Sequence, residues 1–365
     1  MKINTITCHE VYNHGASLQE YALLYYLNSN GHQAQTLHYK PPYLSGHLSL
    51  TAVSNPRFDK PILKQLYLVA KLPSRIKDLK RKKAFDLFSQ KYIPTGNEEY
   101  TSNQELKNKL PIADAYICGS DQIWNSFFQN GKDPAFYLDF APDDKLKISY
   151  AASFAIDAID EDIKPFVREK VARLNAVGVR ETSGVKILNE LGLTDVEQVL
   201  DPVFLLESEH WETKFVHPIS EKYVFIYDFD SNPLIMEIAL KLKKEKGYKI
   251  YTVNNNITYA DKNFWLYGPE KFLSLIYHSQ FNITNSFHAL AFSIIFKKQF
   301  CVVNRTDKIN TRMRDLLGLF GIGKNLISKY SEFEKLEDID YLLIQPTIDK
   351  SISNSKKFLL ESLKK

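Results

Sequence analysis

Short apolar runs alternate with longer segments of helical periodicity along most of the chain. The first pair is the strand-like INTITC and the helix-like SLQEYALLYYLNSN, which ends at Gly31 in the position favoured after a helix. This alternation is typical of α/β proteins with mostly parallel sheets. Further strands of this first series are predicted at QAQTLHY, AYICG, KISYAASF and AVGVR, and a helix at ETSGVKILNELG.

The alternation pauses around LDPVFLLESEHW, where Pro202 and Pro218 bracket a predicted linker. A second series follows, with strands predicted at YVFIYDF, YKIYTVN, FNIT and QFCVVN, and helices over 233–246, near 269–278 and from about 286. Since 365 residues exceed the comfortable size of one core, we predict two doubly wound domains, 1–205 and 206–365. Ligands are expected in the cleft where the carboxyl ends of the strands face each other.

Composition is that of a soluble globular protein, with 44% hydrophobic and 25% charged residues. No run approaches the roughly 20 apolar residues of a membrane span, and MKINTITCHE has neither the apolar core nor the cleavage site of a signal peptide. Cys8, Cys118 and Cys301 are far apart and lack metal-ligand spacing, which argues against a disulfide framework or a zinc site. We therefore expect a cytoplasmic protein.

Residues 60–83 form a strongly basic segment. Nine Lys and Arg stand against Asp78, a local charge of +8, which leaves −4 on the remainder because the net charge is +4. The segment also carries spaced Ile and Leu residues, so it fits either a helix lying on an anionic membrane surface or a solvated helix with a covered apolar stripe. Pro73 is expected to interrupt any single long helix. Nucleic acid is not expected, because no recognition motif accompanies the charge.

The junction after the first strand, HEVYNHGASLQEYAL, is polar and contains a glycine. Asn13 and Gly15 lie near the helix start, where a glycine lets backbone approach a ligand and free N–H groups favour an anion. Gln19, one turn later, faces either the cleft or solvent. Neither GxGxxG nor a P-loop is present, so a nucleotide fingerprint is lacking.

The junction YICGSDQIWNSFF combines polar groups with an indole. Ser120 and Asp121 set a turn after an apolar strand, and Asp121 is a candidate cap for a following helix. Trp124 and Asn125 come directly afterwards. Because a sugar stacks its C–H faces on an indole while its hydroxyls bond polar groups, we predict that this junction contacts a sugar.

Two later junctions carry cations. Arg180 ends a strand in VGVRETSG and suits a carboxylate or phosphate, or else a structural ion pair with Glu181 or Asp201. In TNSFHALAF, Ser286 is a candidate N-cap that places His288 at the second helical position. The helix dipole disfavours an imidazolium there unless an anion binds the same helix start, and a packed histidine is the alternative. Two more cations near this cleft are Arg305 and Arg312.

Taken together, these junctions resemble the polysaccharide pyruvyl transferase family. NHGASLQEYALLYYL is similar to the family's opening block, GSDQIWN with FYLDF and KISYAASF to its central block, and VGVRE, LDPVFLL and NSFHALAFSIIF to its later blocks. The resemblance covers roughly residues 4–320. The chain departs from the family at His14, where tyrosine is usual, and at Ala289, where glycine often follows the histidine.

The resemblance implies two Rossmann-like domains similar to the GT-B glycosyltransferases, with the active site in the interdomain cleft. The implied reaction transfers pyruvate from phosphoenolpyruvate, as co-substrate, onto two hydroxyls of a sugar, for example as a 4,6-ketal on a hexose such as galactose. No metal or cofactor is implied, and no triad, HExxH, DxD or His/Cys ligand cluster occurs. The acceptor would be a lipid diphosphate-linked capsular or exopolysaccharide precursor at the inner membrane face, which segment 60–83 would suit.

The same resemblance suggests roles for the junction residues. His288 would act as an acid or a phosphate ligand, Asp121 as a base or hydroxyl ligand, and Arg180 as a catalytic cation. The expected donor site comprises Arg180, Ser286, His288, Arg305 and Arg312, and the expected acceptor site comprises Asn13, Gly15, Gln19, Ser120, Asp121, Trp124 and Asn125. A nucleotide-sugar glycosyltransferase of the same fold and a non-catalytic glycan-binding protein are the two alternatives.

Overall fold

A computed structural model describes residues 1–45, 61–305 and 310–364. These residues form two parallel β-sheets flanked by helices. The first sheet contains β1 (Lys2–Ile6), β2 (Gln33–Tyr39), β3 (Thr95–Tyr100), β4 (Ala115–Cys118), β5 (Leu146–Ala152), β6 (Ala176–Val179) and β7 (Val196–Gln198). The second contains β8 (Tyr223–Tyr227), β9 (Lys249–Thr252), β10 (Lys262–Asn263), β11 (Phe281–Thr284), β12 (Phe300–Val303) and β13 (Leu326–Ile327).

Both sheets are wound outward from their centres. The strand orders are β3-β2-β1-β4-β5-β6-β7 and β10-β9-β8-β11-β12-β13, so the direction of winding reverses between β1 and β4 and between β8 and β11. At these points Ile6 pairs with Cys118, and Tyr227 pairs with Thr284. Loops that leave the carboxyl ends of two such strands diverge and open a crevice for a ligand.

Helices connect the strands, as the alternating pattern predicts. They are α1 (His14–Ser29), α2 (Pro42–Ser45), α3 (Pro61–Tyr92), α4 (Asn103–Asn108), α5 (Lys164–Val171), α6 (Thr182–Glu190), α7 (Ser208–Phe215), α8 (Pro233–Lys246), α9 (Pro269–His278), α10 (Phe287–Ile295), α11 (Thr311–Leu319), α12 (Tyr330–Phe333) and α13 (Tyr341–Ser362). The predicted helices over 233–246 and 269–278 are thereby confirmed as α8 and α9. Among the described residues, none of the helices is both long and apolar enough to cross a bilayer.

Helix α3 is a single helix of 32 residues that runs through Pro73. The expected interruption is therefore wrong, because a proline removes one backbone hydrogen bond while the helix continues on both sides of it. Lys60, the first residue of the basic segment, lies outside the described residues. The second half of α3 joins the two sheets: Arg81 donates from Nη2 to the carbonyl of Tyr12 (2.9 Å) and from Nη1 to that of Trp265 (2.6 Å).

The chain passes between the two sheets twice. The first passage follows β7 and includes a 3₁₀ turn over Pro202–Leu205 and helix α7, so the predicted linker has regular structure. The second is α13, whose Ser355 Oγ accepts a hydrogen bond from the backbone N–H of Leu200 (2.9 Å). Further along α13, Phe358 packs on Gly178 of β6, where an added Cβ would lie 2.6 Å from the phenyl ring. The C-terminal helix is thus packed on the first sheet.

Candidate active site

A cavity of about 310 Å³ lies between the carboxyl edges of the two sheets. The loops that leave β1, β4, β8, β11 and β12 border it, so it lies where both sheets reverse their winding. We call the part of the chain that forms the first sheet the first half, and the part that forms the second sheet the second half. The lining residues are Cys8, Val11, Asn13, Leu44, Asp121, Gln122, Phe128 and Asn130 from the first half and Phe229, Ser286, Phe287, His288, Arg305 and Arg312 from the second half. A larger groove of about 730 Å³ lies between α3 and α9, but none of the predicted site residues lines it.

The start of α10 faces this cavity. Ser286 is the N-cap residue and His288 the second residue of the helix, which confirms the position predicted from the sequence. The Ser286 side chain makes no capping hydrogen bond, and its own backbone N–H is bonded to Thr284 Oγ1 (3.0 Å). The first turn of α10 therefore presents backbone N–H groups and the positive end of the helix dipole to a ligand.

His288 lies beside a buried carboxylate. Its Nε2 lies 3.4 Å from Oδ2 of Asp201, and the same oxygen lies 3.0 Å from Nη2 of Arg180. Ser120 Oγ donates to that oxygen as well (3.0 Å) and accepts a hydrogen bond from Arg180. Of the two structural ion pairs considered for Arg180, the pair with Asp201 forms, whereas Glu181 accepts hydrogen bonds from Ser153 and from the backbone of residue 155.

The charge of Asp201 is stabilised by these partners. Burial alone would raise the pKa of the Asp201 carboxyl, but the charges of Arg180 and His288 outweigh burial and hold the pKa below its ordinary value. Asp201 is therefore ionised and joins a cation of the first half to the histidine of the second. Sequence analysis considered Asp201 only as an ion-pair partner and did not assign it to the site.

Gly15 packs directly against His288. A Cβ added at Gly15 would lie 2.0 Å from Nδ1 of the imidazole, far inside contact distance. The sequence predicts that this glycine lets the backbone approach a ligand, whereas the group that packs against Gly15 in the structure is the side chain of His288. The imidazole consequently lies between the start of α1 and Asp201.

Buried guanidinium groups give the cavity its positive charge. Burial, followed by the charge of Arg180, lowers the pKa of Arg312 to about 10. Within the described residues, Nε of Arg312 and both Nε and Nη1 of Arg180 are buried and have no hydrogen-bond partner. Both guanidinium groups lie over the ring of Phe287, at 5.6 and 4.7 Å from its centroid. Buried, incompletely paired cations of this kind are typical of a site for an anion.

Asp121 reaches the cavity from the opposite wall. Its backbone has a φ of 63°, and its Oδ1 accepts a hydrogen bond from the backbone of Gln122 (2.8 Å). Oδ1 also lies 3.6 Å from Nη1 of Arg312, so the carboxylate and the guanidinium face each other across the cleft. The expectation that Asp121 caps a helix is wrong, because the chain continues in turns up to a short 3₁₀ segment at Gln129–Lys132.

Trp124 and Asn125 do not form the predicted sugar-binding wall. Trp124 is fully buried, donates from Nε1 to the carbonyl of Phe136 (3.0 Å) and stacks on Tyr137 with ring centroids 5.3 Å apart. The turn that contains it folds back onto the end of β5, which directs the indole inward. Asn125 is equally buried and accepts a hydrogen bond from the backbone of Phe127 (3.0 Å). Both side chains therefore stabilise the loop and expose no face to a ligand.

The predicted residues divide into two groups. Those that line the cavity are Asn13, Asp121, Ser286, His288, Arg305 and Arg312. Those that lie outside its lining are Gly15, Gln19, Ser120, Trp124, Asn125 and Arg180. Gln19, for example, is buried and donates to Oγ1 of Thr7 (3.0 Å) instead of facing the cleft.

The partly exposed aromatic residues of the cavity were missed by sequence analysis. Phe128 and Phe229 line it from opposite halves and are 46% and 41% exposed. The guanidinium of Arg305 stacks on Phe229 at 4.0 Å from the ring centroid. One signal in the sequence could have found Phe229, since it ends the predicted strand YVFIYDF and lies shortly before the predicted helix over 233–246.

One cluster of possible metal ligands lies outside the cavity lining. In the part of the chain that the structure describes, His9, Glu10 and His38 have ligand atoms within 4.8 Å of one another. Lys40 forms an ion pair with Glu10, and Nδ1 of His9 lies 2.9 Å from Oε1 of Glu20. Internal partners thus occupy much of the ligand capacity of this group.

Comparison with known proteins adds a family and a fold. The family model for polysaccharide pyruvyl transferase matches residues 13–307 of the chain. No curated protein sequence matches the chain.

Several solved structures are similar to this one. A candidate UDP-N-acetylglucosamine 2-epimerase from Listeria monocytogenes has a TM-score of 0.53 at 10% identity, covering 100% of this chain and 95% of its own. The Methanocaldococcus jannaschii UDP-GlcNAc 2-epimerase has a TM-score of 0.50 at 10% identity, with 100% and 99% coverage. A heptosyltransferase from E. coli has a TM-score of 0.40 at 12% identity, with 96% and 100% coverage. The predicted fold class, two Rossmann-like domains in a GT-B-like arrangement, is confirmed.

Proposed function

Because the chain belongs to the polysaccharide pyruvyl transferase family, we propose that it transfers the pyruvyl group of phosphoenolpyruvate to two hydroxyls of a sugar. The product is a cyclic ketal, and phosphate is released. The observation that carries this proposal is the set of buried, incompletely paired cations beside the start of α10. A small donor with a carboxylate and a phosphate would pair with Arg312 in the cavity lining, while Arg180 adds positive charge behind it.

The donor is proposed to bind against the second half of the chain. Arg305 and Arg312 line the cavity on one side of the first turn of α10, and His288 lies in that turn. A doubly anionic three-carbon molecule can therefore contact two guanidinium groups and the helix N–H groups at once. The cavity, at about 310 Å³, lies at the small end of ligand sites, which suits a donor of this size together with the edge of one sugar ring.

His288 is proposed to be the acid of the reaction. It protonates C3 of phosphoenolpyruvate, which converts the methylene to a methyl group while the first sugar hydroxyl attacks C2 and loses its proton. Cleavage of the bond between C2 and the phosphate oxygen then releases phosphate, and the second hydroxyl closes the ketal and gives up its proton. The two protons lost by the hydroxyls balance the one gained by C3 and the one carried away by phosphate.

Asp121 is the proposed base or hydroxyl ligand on the acceptor side. It lines the cavity from the first half and faces Arg312, so an acceptor bound beside it would lie next to the donor. Phe128 and Phe229 replace Trp124 as the aromatic surfaces for the sugar, because their rings are partly exposed in the cavity.

Arg180 is proposed to be a positioning residue. It lies outside the cavity lining, and its side chain is bonded to Asp201 and Ser120. Through Asp201 it fixes the orientation of His288 and holds positive charge close behind the donor. We therefore expect Arg180→Lys, which keeps the charge and loses the forked geometry, to retain more activity than Arg180→Ala.

The test is phosphate release from phosphoenolpyruvate with a panel of soluble galactosides, together with mass spectrometry for the pyruvyl adduct. We expect release and adduct with at least one acceptor, and a decrease of about 10²–10⁴-fold in kcat for His288→Ala. His32→Ala is the matched control, because His32 lies before β2 and outside the cavity lining. Full turnover by His288→Ala would contradict the assignment of the acid.

The donor class is tested in parallel. Replacing phosphoenolpyruvate by UDP-sugars should give no nucleoside diphosphate with the same acceptors. Nucleotide release without pyruvyl transfer would show that the activity is that of a glycosyltransferase.

A further inference from the structure

Helix α3 carries a stripe of exposed apolar side chains. Val69, Leu72, Ile76 and Leu79 are 70%, 47%, 50% and 36% exposed. Their spacing of three, four and three residues places them on one face of the helix. Exposed apolar residues are common singly, but a continuous stripe on one helix marks a contact surface.

This stripe faces away from the body of the protein. On the opposite side of the same helix, Arg81, Phe85 and Phe88 are buried. The covered apolar stripe that sequence analysis offered as an alternative is therefore not the one formed by these four residues. In the described residues, the apolar stripe of α3 is open to solvent.

Cations lie beside the stripe. Lys80 and Lys83 are exposed on the stripe side of α3, and Lys77 is exposed at its margin, where it donates to Asn255 (3.4 Å). The basic character is local, since the 60–83 segment has a charge of +8 and the rest of the chain −4.

We propose that this face of α3 docks on an anionic lipid surface. An apolar stripe flanked by lysines matches an interfacial helix that inserts its apolar side chains between headgroups while the ammonium groups pair with lipid phosphates. A second copy of the chain is the less suitable partner, because pairing the same face of two copies brings like charges together.

The docked orientation brings the cleft towards the membrane. Helix α3 crosses the carboxyl edges of both sheets, because Arg81 bonds to Tyr12 in the loop after β1 and Lys77 bonds to Asn255 in the loop after β9. Asn13, the neighbour of Tyr12, lines the cavity. A surface bound to α3 therefore lies on the cleft side of the molecule, where an acceptor held on a lipid would be presented.

Vesicle co-sedimentation without substrates tests the docking surface separately from the proposed reaction. We expect the full chain to bind vesicles of phosphatidylcholine with about a third phosphatidylglycerol at low salt, and to be released at high salt. Leu72→Ser/Ile76→Ser and Lys80→Glu/Lys83→Glu should each lower binding at least about tenfold. Phosphate release with a soluble acceptor should be unchanged in both variants.

Matched controls use exposed residues elsewhere on the surface, with leucines that are more exposed than those of the stripe. Leu342 and Leu343, at the start of α13, are 88% and 77% exposed, so Leu342→Ser/Leu343→Ser should bind vesicles like wild type. Lys244→Glu/Lys246→Glu on α8 is the control for charge. Circular dichroism shows whether each variant is folded.

Three outcomes overturn the proposal. The first is no binding of the wild type to anionic vesicles, and the second is equal binding to pure phosphatidylcholine. The third is loss of an oligomer in Leu72→Ser/Ile76→Ser, seen by light scattering, without any vesicle binding, which would assign the stripe to self-association. Loss of pyruvyl transfer with normal vesicle binding would count against the proposed function and leave this surface standing.

Discussion

The loop after β4 and the start of α10 both follow strand ends at the cleft, but only the second is the start of a helix, and they contribute to the cleft in different ways. In the first, Trp124 and Asn125 turn inward, and only Asp121 of the four predicted residues lines the cavity. In the second, both Ser286 and His288 line it. A helix start fixes the direction of its side chains through its own periodicity, whereas a tight turn can bury a large ring that the sequence suggests is exposed.

The largest expected difference between the two junctions is in stability. Trp124→Ala should lower the free energy of unfolding by about 3–5 kcal/mol, because it empties a fully buried indole site and removes a hydrogen bond. Denaturant unfolding measures this loss. The KM for the sugar acceptor should be unchanged in the protein that remains folded. A stable variant with a much higher KM would instead indicate that the indole contacts the sugar.

Asp201 contacts Ser120 in the first junction and His288 in the second, and its replacement should also lower the free energy of unfolding. Asp201→Asn leaves the buried guanidinium of Arg180 without its counter-charge and should destabilise the fold by about 3–5 kcal/mol. Since the pKa of Asp201 is lowered on folding, its ionised form stabilises the native state above its ordinary value of 3.8, and this contribution is lost as the pH falls below that value.

Thermal unfolding as a function of pH checks this assignment. The difference in unfolding temperature between wild type and Asp201→Asn should be largest near neutral pH and should decrease on acidification. A gap that stays constant down to strongly acidic pH would mean that the carboxylate charge does not contribute.

The contact between Gly15 and His288 allows a sharper test of the second junction. Gly15→Ala should cost about 1–3 kcal/mol and lower kcat, because its methyl group would overlap the imidazole. In a His288→Ala background the same substitution should cost much less. A double-mutant cycle measures the coupling, and equal costs in both backgrounds would show that the contact is unimportant.

The smallest effect is expected for Phe128, the partly exposed ring that we propose contacts the sugar in place of Trp124. Phe128→Ala removes a partly exposed side chain, so it should change stability little and raise the KM for the acceptor about tenfold, equivalent to about 1.4 kcal/mol. Phe127→Ala is the control, since Phe127 is 54% exposed and is not among the cavity-lining residues. Equal KM values for the two variants would argue against an acceptor at Phe128.

Sequence alone predicted the regular elements well where apolar periodicity was strong. Strand β11 and helices α8 and α9 have the bounds expected from FNIT, 233–246 and 269–278. Strand β3 was missed because TGNEEY is polar and mostly solvent-facing at the edge of its sheet. Pro73 misled the prediction of α3, since a helix can continue on both sides of a proline although one backbone hydrogen bond is lost.

The site was predicted to the extent that charge and helix position decide it. His288, Arg305 and Arg312 line the cavity because they lie at strand ends or helix starts of the second half. The role of Asp201 depends on a pairing between distant segments, 180 and 288, which local pattern does not reveal. Burial of Trp124 likewise depends on packing against Tyr137, which the residues next to Trp124 in the sequence cannot show.

The return of α13 to the first sheet has a mechanical consequence. Ser355 is bonded to Leu200, and Phe358 packs on Gly178. The two halves are therefore joined by α13 as well as by the passage that follows β7. Two such connections permit hinge rotation of one half relative to the other about the line through them, and they resist twisting or sliding in other directions. Any opening of the cleft would therefore be restricted to rotation about this line, and closure would return the imidazole of His288 to the same position beside Gly15.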